Sequence, residues 1–139
     1  MKAFLDTSVL VPVFLADHEH HSASLDIFLR FNKSQSCCSV HSLAELYATV
    51  TRLPGKHRVN GEQALLFLGE VRNRLTLVAL DQGEYYAAIE HAAAAGVLGG
   101  TIYDVLVASC AGKAKAETLY TWNLRHFERL DGVARVKTP

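Results

Sequence analysis

The sequence lacks an excess of charge of either sign. Fourteen Lys and Arg residues balance fourteen Asp and Glu residues, so the formal net charge is zero. A neutral chain has no strong overall field that attracts nucleic acid from a distance, so any contact with nucleic acid has to be local. Taken singly, each basic residue is best explained as part of a solvated surface. The basic residues that cluster in sequence are Arg52, Lys56, His57 and Arg58, and then Arg125, His126 and Arg129.

Cysteines are few, and long apolar runs are missing. The three cysteines, Cys37, Cys38 and Cys110, are an odd number and do not have the spacing of a zinc site. Because they sit in apolar runs, we expect buried thiols in a reducing compartment. Asp6 and Pro12 interrupt the first apolar stretch, which argues against a signal peptide or a membrane span there. We therefore expect a soluble protein of the cytoplasm.

The length and composition are those of one folded domain. Half of the 139 residues are hydrophobic and a fifth are charged, which is too apolar for a disordered segment. A chain of this length can bury a core without disulfides or a structural metal. We expect a single domain that spans 1–139.

Short apolar runs alternate with amphipathic segments along the chain. The runs at 3–5, 35–40, 76–80, 118–121 and 133–136 are predicted to be strands. The segments 9–16, 20–31, 61–75, 81–95 and 101–115 are predicted to be helices, and another helix follows the second strand and ends before Pro54. This alternation implies right-handed crossovers and a mostly parallel sheet. The predicted fold class is α/β, a three-layer α/β/α sandwich with a mostly parallel central sheet of four to five strands.

Polar side chains fall at the ends of predicted strands and the starts of predicted helices. Asp6 follows the first strand, Asn123 follows the strand at 118–121, and Glu45 and Asp104 lie in the opening turns of helices. In an open parallel sheet, ligands bind at the carboxyl ends of the strands. We therefore expect these side chains to meet at one edge of the sheet.

Each of these residues also has a purely structural explanation. Asp6 can cap its helix, Ser42 to Glu45 matches a capping box, Thr101 to Asp104 is a near match, and Asn123 can cap a turn. Short capping patterns recur by chance, so neither explanation is excluded for a single residue. The set as a whole is harder to explain as four unrelated caps.

Asp104 is the most informative member of the set. Val107, Ala108 and Ala111 share its helical face, and no cation lies within a turn of it in the sequence. A carboxylate that faces a core needs a partner. A divalent metal is an economical partner because Mg²⁺ and Mn²⁺ prefer oxygen ligands and neutralise clustered acids. Such a metal can polarise a phosphate and lower the pKa of a bound water that attacks it.

Four segments, taken in order, resemble the motifs of the PIN-domain nucleases, and in particular the VapC-type toxins of toxin–antitoxin pairs. The segments are Phe4 to Ser8, Ser42 to Tyr47, Tyr103 to Ala108 and Leu119 to Phe127. The resemblance implies an endoribonuclease that depends on Mg²⁺ or Mn²⁺, is inhibited by a cognate antitoxin and is commonly a homodimer.

The resemblance also assigns roles to single residues. Asp6, Glu45 and Asp104 correspond to the metal-binding catalytic acids, and Ser8 and Thr121 to supporting hydroxyls. Asn123 stands at a fourth catalytic position where many members carry Asp. Because an amide carries no negative charge, a second metal would be held less tightly there or through water.

Two further features are explained without a catalytic role. The run from His18 to His21 looks like a metal cluster, but neighbouring residues at a helix start point in different directions, so we expect a solvated turn. Trp122 and Tyr103 are explained equally well by base stacking and by core packing.

Three functions remain open at this stage. The first is the metal-dependent ribonuclease, with Arg52 and Arg125 binding the backbone of the RNA substrate and an antitoxin segment in an apolar groove near the first helices. The second is an inactive module that binds RNA or protein, which Asn123 keeps open. The third is a small-molecule phosphohydrolase or phospho-receiver, which is disfavoured because Ser8 occupies the place of a second Asp.

Overall fold

Short strands alternate with helices in the computed structural model, which describes residues 1–133 and 135–139. The strands are β1 Ala3–Leu5, β2 Ser36–Ser39, β3 Thr76–Val78, β4 Thr118–Tyr120 and β5 Val136–Lys137. The helices are α1 Thr7–Val13, α2 His21–Arg30, α3 Val40–Thr51, α4 Gly61–Arg74, α5 Gln82–Ala94, α6 Thr101–Lys113 and α7 Leu124–Phe127, with a 3₁₀ turn at Gly55–His57. No helix in these ranges combines the length and hydropathy needed to cross a membrane.

The strands form one parallel sheet with β1 at its centre. Within the described ranges the sheet has five strands in the order β3-β2-β1-β4-β5, and every neighbouring pair is parallel. Ala3 pairs with both Ser36 and Thr118, so the three central strands are closely aligned. Their carboxyl ends therefore lie at the same edge of the sheet. The predicted α/β class and parallel sheet are confirmed.

The core has two parts, one on each face of the sheet. Side chains of neighbouring strand residues point to opposite faces. Leu5 and Cys38 accordingly pack against α1 to α4, while Phe4 and Cys37 pack against α6 and α7. This arrangement is the predicted three-layer sandwich.

The three cysteines are free and buried, as predicted. Burial in the core raises the pKa of the Cys37 and Cys38 thiols to about 12. It also raises the pKa of Cys110, although a contact from its Sγ to Ser39 Oγ partly offsets the effect. At neutral pH these thiols stay protonated, and they behave as small apolar side chains.

Two element boundaries differ from prediction in a way that matters for the site. Helix α1 begins at Thr7, directly after Asp6, and α3 begins at Val40 because the Ser39 side chain caps it by accepting a hydrogen bond from His41 N. The predicted capping box from Ser42 to Glu45 is therefore wrong, since both residues lie inside the helix.

The C-terminal region also differs from prediction. The short helix α7 was missed because four residues show no periodicity, and it is held by the buried Phe127 ring. The final strand is Val136–Lys137 rather than 133–136. Of the predicted strand, Ala134 lies outside the described residues.

Candidate active site

A cavity of about 500 Å³ opens at the carboxyl edge of β1 and β4. The four polar residues expected at this edge, Asp6, Glu45, Asp104 and Asn123, all line it. Its remaining lining comes from Thr7, Ser8, Val11, Pro12, His18, Glu19, His20, Thr49 and Trp122. The structure therefore brings together residues from β1, α3, α6 and the segment after β4.

Asp6 is the most firmly held of the acids. Its side chain is only 7% exposed, and its Oδ2 accepts hydrogen bonds from Ser8 Oγ at 2.8 Å and Thr121 Oγ1 at 2.9 Å. The two hydroxyls are in turn fixed by backbone amides, since Trp122 N donates to Ser8 Oγ and Asn123 N donates to Thr121 Oγ1. Hydrogen bonds to a carboxylate are stronger than neutral ones, so this network fixes the orientation of Asp6.

Glu45 lies in α3, with its side chain 40% exposed. Burial raises the pKa of this carboxyl, while His41, whose Nε2 lies 3.6 Å from Glu45 Oε1, lowers it. The nearby Asp6 carboxylate raises the pKa again, the neighbouring Thr7 hydroxyl lowers it, and Asp104 adds a further small rise. The Asp6 and Asp104 carboxylates thus lie close enough to Glu45 to raise its pKa.

Asp104 faces the cavity from the first turn of α6, and its side chain is 27% exposed. Burial raises its pKa, the imidazole of His126 lowers it, and Asp6 raises it. The His126 Nδ1 lies 3.6 Å from Asp104 Oδ2. No basic side chain lies within a turn of Asp104 in the sequence, but the fold brings the His126 imidazole to it from α7.

Capping explains only one of the four residues. The Asp6 side chain does cap α1, through a long contact of 3.4 Å from Ser8 N. Helix α6 is capped at Gly100 without any side-chain hydrogen bond, and the Asn123 side chain makes none at the start of α7. Glu45 and Asp104 therefore have no capping role, and their mutual repulsion with Asp6 has to be offset by something else.

The donor chemistry of the cavity fits a hydrated divalent cation. Across 1–133 and 135–139, no three Asp, Glu, His or Cys side chains are already arranged as a closed metal site. Mg²⁺ does not need one, because it keeps several waters and takes one or two carboxylates directly. All the hydrogen bonds to the Asp6 carboxylate go to Oδ2, and Oδ1 accepts none from the described part of the chain. The carboxylates and the space for water are thus compatible with such an ion.

A second cavity, of about 570 Å³, adjoins the acids and is basic. Arg125, His126 and Arg129 line it together with Asp104, which lines both cavities. Arg52 lines neither this basic cavity nor the first cavity, called the acid cavity below. It is exposed at the C-cap of α3, and Thr49 is the last residue of α3 that lines the acid cavity.

The cavity contains one feature that the sequence interpretation missed. The His20 and Trp122 rings stack with their centroids 3.7 Å apart and their planes 9° apart. His20 lies in a turn with its side chain 35% exposed, as predicted, but its ring also packs on Trp122, which local spacing could not show. The run of histidines itself was the signal that could have drawn attention to it.

Comparison with known proteins gives a consistent result. A family model described as the PIN domain matches residues 3–133. The chain is 35% identical over 123 residues to Ribonuclease VapC40 of Mycobacterium tuberculosis, which covers 88% of this chain and 87% of that protein.

Solved structures share the fold at lower identity. VapC20 of Mycobacterium tuberculosis, described as a toxin that cleaves the sarcin-ricin loop, is similar with a TM-score of 0.71 and 14% identity over 90% of this chain and 92% of that one. VapBC-5 of the same organism, a member of the VapBC family of toxin–antitoxin systems, is similar with a TM-score of 0.57 and 21% identity over 99% of this chain and 100% of that one.

Proposed function

Because the chain belongs to the PIN domain family, we propose that it is a metal-dependent endoribonuclease and the toxin of a toxin–antitoxin pair. One observation carries the proposal: Asp6, Glu45 and Asp104 line a single cavity, and Asp6 lies close enough to raise the pKa of both other acids. The name of the relative VapC40 supports RNA as the substrate.

The three acids are the residues that would hold Mg²⁺ or Mn²⁺, with Asn123 as a neutral fourth group. When bound, the cation supplies positive charge that stabilises the charge developing on the phosphate and lowers the pKa of the attacking water. The Asp6 carboxylate is already oriented before substrate binds, because the hydroxyls of Ser8 and Thr121 donate hydrogen bonds to it.

The RNA backbone is held by local positive charge. Arg125 lines the basic cavity next to Asp104, so a phosphate bound there adjoins the acids. Arg52 extends the contact along the far end of α3. Both arginines can bind phosphate oxygens, so local positive charge allows a chain with zero net charge to bind RNA.

We infer that the partner is an antitoxin that also blocks the site. A groove of about 460 Å³ is lined by apolar side chains that include Phe14, Leu15 and Leu53, and His18 lines both this groove and the acid cavity. An apolar antitoxin segment in this groove can therefore extend a basic side chain towards Asp6 and Asp104. We further propose a homodimer that works in the cytoplasm, where its RNA substrate is found; light scattering that gives the mass of one chain would refute the dimer.

The test is cleavage of total cellular RNA in Mg²⁺ or Mn²⁺, with the ends of the fragments sequenced. We expect discrete cuts that disappear with a chelator and in Asp104→Asn. The matched control is Asp131→Asn, because Asp131 is an exposed acid that pairs with His91 away from the cavity. Cuts that survive in Asp104→Asn would refute the assigned site.

A second function is favoured by Asn123 alone. If the missing carboxylate prevents catalysis, the chain binds RNA or protein without cutting. Absence of cuts in both metals, together with RNA binding that a chelator leaves unchanged, would replace the nuclease with this binding module.

A further inference from the structure

The stacked pair of His20 and Trp122 forms a wall of the acid cavity, and the proposed mechanism gives it no role. Trp122 is the only tryptophan in the chain. Its indole is fixed at one end because Nε1 donates a hydrogen bond of 2.9 Å to the buried hydroxyl of Ser24 on α2. The indole is therefore held in one orientation, and the His20 ring stacks on it.

The other end of Trp122 is tied to the acids. Its backbone N donates to Ser8 Oγ at 2.9 Å, and Ser8 Oγ donates to Asp6 Oδ2 at 2.8 Å. Two hydrogen bonds thus connect the aromatic pair with the most firmly held acid. A group that stacks on this pair lies beside the phosphate that the acids would hold.

His20 covers the indole, and the His18 ring lies beside the His20 ring at a tilt, with the two centroids 5.6 Å apart and the planes at 37°. The His20 backbone N donates to His18 Nδ1 at 3.0 Å, and its Nε2 lies 3.6 Å from Glu19 Oε1. The first contact fixes the turn and the second involves the His20 ring itself, whose side chain remains 35% exposed. The hydrogen bond to Ser24 explains the position of the indole. It does not explain why a second flat ring lies over the indole at the cavity wall.

We propose that His20 and Trp122 form a subsite for a nucleobase of single-stranded RNA, next to the phosphate that is cut. The base stacks on the exposed His20 ring and extends the stack that Trp122 begins. Unpaired bases in loops and single strands are free to stack on aromatic side chains, and such stacking tolerates any base because each has a flat π-face. The subsite rests on the proposed function, since the acids define where the phosphate lies.

The test separates stacking from structural support. Binding is measured with EDTA present, so that no RNA is cut, on a labelled single-stranded RNA of mixed sequence and about four nucleotides, which is too short to bind in several registers. A matched series replaces one base at a time with an abasic nucleotide. The variants are His20→Ala, His20→Phe, which keeps a flat ring, and His91→Ala as the control, since His91 is exposed on α5.

We expect one abasic RNA in the series to bind the unmodified protein about 10-fold more weakly than the intact RNA. His20→Ala should lose about the same factor on intact RNA and nothing further on that abasic RNA. His20→Phe and His91→Ala should bind like the unmodified protein. Intact RNA should also quench the Trp122 fluorescence more than the critical abasic RNA does.

Three results would overturn the subsite. These are an abasic series with no distinct position, a His20→Ala variant that binds intact RNA normally, and a His20→Ala variant that weakens all the RNAs equally and also lowers Tm. Cleavage in Mg²⁺ or Mn²⁺, measured separately, distinguishes the two proposals. If the protein cuts RNA but binds all the abasic RNAs equally well, only the subsite is refuted. If it neither cuts nor binds RNA, both the proposed function and the subsite are refuted.

Discussion

Replacing Thr121 by valine tests the network that holds Asp6. Thr121 is fully buried, and its hydroxyl donates to Asp6 Oδ2 at 2.9 Å while accepting from Asn123 N at 3.0 Å. Valine keeps the shape of the side chain but removes these two bonds and the 3.1 Å contact between Thr121 Oγ1 and Ser8 Oγ. Asp6 then retains only the hydroxyl and the long amide contact of Ser8.

The size of the effect follows from the contacts that are lost. A hydrogen bond to a charged group contributes about 1.5–3 kcal/mol, whereas the Asn123 amide lies at an exposed residue where water can replace the hydroxyl. We therefore expect the free energy of unfolding to fall by about 2 kcal/mol. With an unfolding entropy of about 2.1 cal/mol/K per residue, a chain of 139 residues then loses about 7 °C in Tm. Loss of the supporting hydroxyl should also cost about 10–100-fold in metal affinity or activity.

The measurements are thermal unfolding, titration with Mg²⁺ or Mn²⁺, and RNA cleavage. Thr118→Val is the matched control, because Thr118 is a buried threonine on β4 whose hydroxyl makes no hydrogen bond within the described ranges. Thr121→Ser should recover most of the activity, since it restores the hydroxyl. Equal Tm and equal metal dependence in Thr121→Val and Thr118→Val would show that the network does not support Asp6 as argued.

The remaining predictions concern the other acids and the start of α3. Asp104→Asn should raise the stability of the metal-free protein by about 0.5–2 kcal/mol while abolishing cleavage, because it removes a half-buried charge that Asp6 repels; a lower Tm in denaturation without metal would contradict this. Because the folded-state pKa values of Glu45 and Asp104 are both raised, the folded protein binds more protons than the unfolded chain, so stability without metal should increase as pH falls from 7 through their titration range. The combined Glu45→Gln and Asp104→Asn variant should flatten this part of the pH profile, and an unchanged profile would exclude the two acids as its source. Ser39→Ala should lower the free energy of unfolding in urea by about 1 kcal/mol, because Ser39 caps α3. Ser42→Ala should lower it much less, because the buried Ser42 hydroxyl has no partner in the described part of the chain. The opposite order would restore the capping box inferred from sequence.

The sheet and the set of acids could be predicted from sequence because both depend on local order along the chain. Apolar strands that alternate with amphipathic helices fix a parallel sheet, and residues directly after its strands reach one edge. Asp6 and Thr121 illustrate this, since each directly follows a central strand.

The contacts between distant segments could not be predicted in the same way. His126 reaches Asp104 from a helix of four residues, which is too short to show periodicity. His20 stacks on Trp122 across most of the chain length, and no local pattern encodes that pairing. The start of α3 was misplaced because Ser39 and Ser42 are both plausible caps in sequence, and only the extent of β2 decides between them.

The central position of β1 has a consequence for how the site comes into being during synthesis. Asp6 emerges early, but its partner Thr121 lies 115 residues later and is reached only after β4 pairs with β1. A nascent chain therefore carries its leading acid without the hydroxyl that orients it, and Asp104 and His126 are also still to come. Contacts this distant in sequence are among the last that a chain can form. On the proposed function, a growing chain does not cut RNA until β4 and the segment directly after it have been made.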